Sequence, residues 1–125
     1  IVARAAPTPV AVAVLPSEVQ VNPQLRAAVL SQLQLREQDL DLDAPAHETR
    51  AHLEARGVAV IDLLPALAAA DRDGNTYAPR DSHWNERGNE VVAEVLAESL
   101  EATVRRIAET RPSQPRVDAQ GNGRH

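Results

Sequence analysis

Two short apolar runs limit what this chain can fold into. Residues 10–15 are Val, Ala and Leu closed off by Pro9 and Pro16, and residues 58–64 read Val-Ala-Val-Ile-Asp-Leu-Leu. Consecutive rather than alternating apolar positions predict strands buried on both faces. Between them, Asn22-Pro23 supplies a cap and a first-turn proline, and Leu25, Val29, Leu30 and Leu33 recur at helical spacing. A second helix is expected over 46–56, with Gly57 at the left-handed position that ends it. Strand, helix, helix, strand is the order of a parallel α/β sheet with helical crossovers.

The acidic stretch 39–45 reads as a turn or loop whose Leu40 and Leu42 dip toward the core. Pro65 opens an Ala-rich helix to Ala70, the cluster Asp71-Arg72-Asp73-Gly74-Asn75 marks a turn, and 76–84 is a loop. A last helix starts near Asn85. Its stripe Val91, Val92, Val95, Leu96, Leu100, Val104 and Ile107 is expected to pack on the sheet. Few apolar residues follow Arg111, so 111–125 is expected to be a disordered tail.

The 125 residues suit one modest domain, yet its core must be built almost wholly from Ala, Val, Leu and Ile. There is no Phe, Met or Cys, and only one Trp and one Tyr. Small side chains bury little area, at about 25 cal/mol per Å². Completion by another segment is therefore expected, and a start on Ile1 without any Met adds the expectation of missing upstream chain. The net charge of −5 and scattered Arg residues form no basic stripe, which argues against nucleic-acid binding. Without Cys there are no disulfides or thiolate metal sites, and no signal segment or run of about 18 apolar residues is present.

The chemistry is concentrated in Tyr77-Ala-Pro-Arg80-Asp81-Ser82-His83-Trp84-Asn85, a loop at a helix entry. In extended backbone, residues i and i+2 share a face, so Asp81 can reach His83 while Ser82 points away. A carboxylate on one imidazole nitrogen fixes the tautomer and leaves the other as a general base. The same spacing also suits a hydrogen bond that merely stabilises a loop.

Asp-x-His-Trp-Asn followed by Gly88, Ala93, Leu96 and Leu100 resembles the closing block of the SGNH, or GDSL-like, hydrolase superfamily. Leu15-Pro-Ser-Glu-Val-Gln-Val and the 58–64 run with Asp62 are similar to segments of its alginate O-acetyltransferase-like branch. The resemblance spans about residues 10–105. It implies a three-layer flavodoxin-like α/β fold, present here in part as a parallel sheet with flanking helices, with 1–110 as the carboxyl-terminal half of the domain. It also implies an acyl-serine intermediate and an ester hydrolase or O-acetyltransferase acting on a small-molecule or carbohydrate ester, with no cofactor and no metal. Members of that branch commonly act outside the cytoplasm, which implies a periplasmic or extracellular address. On this likeness His83 is the base, Asp81 its orienting acid, and Gly88 lets the last helix pack closely. A non-catalytic carbohydrate-binding or scaffold domain of the same fold is the alternative.

The family's Gly-Asp-Ser nucleophile block and a Gly or Asn oxyanion block are missing from these residues, so the serine is expected upstream. Of Ser17, Ser31, Ser82, Ser99 and Ser113, only Ser17 follows a strand end, and it lacks the glycines of a nucleophile elbow. Asn22 and Asn85 read as helix caps rather than oxyanion donors. His47 and His52 lie about 140° apart on a helix, unsuited to a zinc-protease pair. The Asp71–Asn75 cluster has its Gly too early for a calcium loop. Asp62 is either a site residue at the sheet edge or a cap for the Pro65 helix. Arg80 and Arg87 are either anion-binding or solvated, and Trp84 either packs at the helix start or stacks on a sugar.

Overall fold

The computed structural model describes residues 9–110. The expected tail at 111–125 lies outside them. Strand β1 (Ala11–Val14) pairs in parallel with β2 (Ala59–Asp62), placing Ala13 opposite Ile61 and Val14 opposite Asp62. The crossover carries α1 (Glu18–Val21), α2 (Pro23–Gln32), a 3₁₀ turn (Glu37–Asp39) and α3 (Ala44–Glu54). After β2 come α4 (Leu64–Asp71) and α5 (Glu86–Thr110). This is a small α/β unit, a two-stranded parallel sheet flanked by helices.

Local chemistry accounts for the element ends. The Asn22 side chain accepts from Leu25 N at 2.9 Å, and Pro23 opens α2 where no donor is needed. Helix α3 closes at Gly57, whose φ of 72° costs a glycine little, with Val58 N bonded back to Leu53 O at 3.1 Å. Asp62 Oδ1 accepts from Leu64 N at 3.0 Å, and its other oxygen meets Arg50 of α3 at 3.1 Å. Asp62 therefore serves the α4 entry and the α3–β2 contact together.

Alternation along β2 sends Ile61 and Asp62 to opposite faces. Ile61 joins Val21, Leu63, Leu67, Tyr77 and Val92 in the buried cluster, with Ala11 and Ala13 packed against it. Asp62 faces α3. Apart from the buried Ile61 the strands are half-buried rather than buried on both faces as expected, because among the described residues the sheet is two strands wide and neither is an inner strand. Leu40 is exposed, since the 3₁₀ turn before it carries the chain across the surface.

The apolar stripe of α5 is covered unevenly. Val92 is buried and Val91, Val95 and Leu96 pack against the core cluster, whereas Leu100 is 46% and Val104 65% exposed. Ile107, further along the same helix, is half-buried again. Leu67, with no exposed surface, lies where α4 meets this core. Leu67→Ala is expected to destabilise the protein by about 2–5 kcal/mol, read as a lower urea midpoint with unchanged slope.

Candidate active site

The loop between α4 and α5 is closed at a neck. Asn85 N donates to Thr76 O at 3.0 Å, Ala78 N donates to His83 O at 2.9 Å, and Tyr77 and Trp84 form an antiparallel bridge. Asn85 adds a clamp from its side chain. Its Nδ2 donates to Asn75 O at 2.7 Å and Tyr77 O at 3.3 Å, while its Oδ1 caps α5 by accepting from Gly88 N at 2.9 Å. Thr76 is fully buried, and its N and Oγ1 both donate to Asp71 Oδ1. That arrangement accounts for the Asp71–Asn75 cluster as a turn whose leading carboxylate is spent on the neck.

Gly88 lies directly on this neck. A Cβ there would stand 2.1 Å from Thr76 O and 3.0 Å from Trp84 Cβ, so only glycine permits the approach.

Within the loop, Asp81 N donates to Ala78 O at 3.1 Å, with Pro79 and Arg80 at the corner. Arg80 has φ 59°. Proline followed by a positive φ is the pattern of a type II turn, in which a non-glycine residue is held at some cost in strain. The turn delivers Asp81 to His83. Asp81 Oδ1 lies 2.5 Å from His83 Nδ1 and also accepts from His83 N at 3.2 Å. An ionised carboxylate can only accept, so Nδ1 carries the proton and, in the neutral ring, Nε2 keeps its lone pair. The His83 side chain is 85% exposed and that of Asp81 52%.

The hydrogen bonds from the His83 ring and backbone hold the Asp81 carboxyl below its usual range. This pairing favours the folded loop above the ordinary aspartate pKa, and the contribution is lost as pH falls through the depressed value.

Of the other residues singled out by sequence, Trp84 is half-buried against the core cluster, in keeping with its packing role. Arg80 is exposed beside Asp81, whereas Arg87 is turned away and donates to Ala70 O at 3.1 Å. Ser17 heads α1, where its hydroxyl and amide bond to Gln20 Oε1. Among the described residues no serine hydroxyl is hydrogen-bonded to His83. His47 and His52 are exposed on α3.

One contact had no counterpart in the sequence reading. Tyr77, 3% exposed, donates its hydroxyl at 2.7 Å to Pro16 O, 61 residues away. Burial raises the phenol pKa, opposed by a hydrogen bond from the Trp84 side chain and reinforced by Glu18 and Asp71. The only tyrosine of an aromatic-poor chain, placed at the loop entry, was a signal; its partner was not legible.

These elements define an α/β domain with a parallel sheet and flanking helices, its histidine–carboxylate pair carried on the loop that enters the last helix. A family model described as the SGNH hydrolase-like domain of acetyltransferase AlgX matches residues 8–125, and the chain belongs to that family, one of hydrolases and acetyltransferases. No curated protein and no solved structure matches it.

Gly88→Ala is expected to cost about 1–3 kcal/mol through the forced separation of α5 from Thr76, visible as a lowered Tm. Replacing His83 by Ala is expected to return the Asp81 carboxyl toward its ordinary pKa. Carbon-13 NMR titration of that carboxyl in both forms reads the upward shift.

Proposed function

We propose that this chain supplies the acid–base pair of an SGNH-type ester hydrolase or O-acetyltransferase, with His83 as general base and Asp81 as its orienting acid. The observation that carries the reading is the Asp81–His83 contact at 2.5 Å, which directs Nε2 away from the carboxylate on an exposed ring. The nucleophile is a serine from a segment outside these residues. The exposed Leu100 and Val104 of α5 offer that segment an apolar surface to cover.

In this reading Nε2 takes the serine proton as Oγ attacks the acyl carbonyl. The imidazolium, stabilised by Asp81, then gives that proton to the departing alkoxide, leaving an acyl-serine and a free alcohol. Water completes hydrolysis, or an acceptor hydroxyl completes transfer, again with His83 taking the incoming proton. The substrate is a small-molecule or carbohydrate ester. Arg80, exposed beside the pair, faces an anionic group of it, and the half-buried Trp84 offers part of its indole to a sugar face.

In the full-length protein, His83→Ala is expected to lower turnover of p-nitrophenyl acetate about 10²–10⁴-fold. An unchanged rate overturns the base assignment. Sugar binding without labelling by a serine-directed fluorophosphonate would instead favour a carbohydrate-binding or scaffold domain.

A further inference from the structure

We propose that Tyr77 is a positioning residue that seats the Asp81–His83 pair at the carboxyl edge of the sheet through its buried hydrogen bond to Pro16. This rests on the reading of His83 as the base.

The pair is too exposed for packing to fix it. Its placement depends on the loop backbone, which the neck closes through the Ala78–His83 and Asn85–Thr76 bonds. The neck ties the loop to itself and, through the close approach of Gly88 to Thr76, to α5, but its bonds do not reach the strands. Tyr77 does. Its backbone forms one side of the neck, bridged to Trp84, and its hydroxyl reaches Pro16, just past the end of β1. Next to it on the same edge, Leu63 N donates to Val14 O at 3.3 Å as the chain leaves β2. In parallel α/β sheets this is the edge at which ligands bind. Pro16 is itself buried, and removing the phenol leaves its carbonyl without this partner. The ring lies in the core with Val21, Leu63 and Leu67, and with 3% exposure it is not placed to touch a substrate.

The variant Tyr77→Phe keeps the ring and removes only the hydroxyl. In the full-length protein, kcat with p-nitrophenyl acetate is expected to fall about ten- to a hundredfold while KM is unchanged. Amide exchange at Ala78, Asp81 and Asn85 is expected to quicken about tenfold or more, with the amides of β1 and β2 unaffected. Unchanged kcat, a change confined to KM, or a uniform rise in exchange across the chain overturns the proposal. If the His83→Ala control keeps its activity, the base assignment fails, and the exchange contrast still decides the tether. Should Tyr77→Phe not fold, the wild-type hydroxyl proton gives a second reading. Slow exchange with solvent supports the bond to Pro16, and free exchange overturns it.

Discussion

The closeness of α5 to the backbone of Thr76 is the constraint on which the rest of the structure depends. A helix axis can come that near a carbonyl only where there is no side chain between them, and Gly88 provides the gap. From this contact Asn85 is placed to cap the helix with its oxygen and to hold both sides of the loop with its nitrogen. Thr76 is placed to hand its two donors to Asp71. The loop that presents Asp81 and His83 thus grows from a junction satisfied almost entirely by backbone and short polar groups. A core composed of small aliphatic side chains, with few large surfaces to lock against each other, gains much of its definition from such junctions.

The elements were legible in the sequence wherever the deciding chemistry is local. Proline and asparagine at 22–23 and the left-handed glycine at 57 each act within a turn and appear where the pattern placed them, while the apolar run at 58–64 holds its strand only over Ala59–Asp62, Leu64 already beginning the next helix. The Asp81–His83 pairing is equally local, being a contact between residues two apart. Burial was less legible, because it depends on what lies across from a residue. The α5 stripe is continuous in sequence, but Leu100 and Val104 are exposed while Val92 before them is buried and Ile107 after them is half-buried. Leu40 has the right polarity for the core and the wrong neighbours. Tyr77 and Pro16 meet across 61 residues, a separation at which no spacing rule operates.

Exposure gives the Asp81–His83 pair a particular electrostatic character. In a buried dyad, desolvation and Coulomb attraction are both large and must be balanced. Here both groups remain largely solvated, and the shift of Asp81 comes first from hydrogen bonding to the His83 ring and backbone rather than from burial. The geometry of such a pair costs little desolvation to maintain. Excluding water would strengthen the contact between the two groups and at the same time remove their hydration.

The turn ahead of Asp81 also narrows how this loop can vary over time. With φ at 59°, position 80 accepts glycine, asparagine or aspartate readily, an unbranched side chain such as arginine at some strain, and a β-branched residue scarcely at all. Valine, isoleucine and threonine are effectively closed to it. Change at this corner therefore runs along a narrow path, on which relieving the backbone by glycine surrenders the guanidinium, and keeping a cation means retaining the strain.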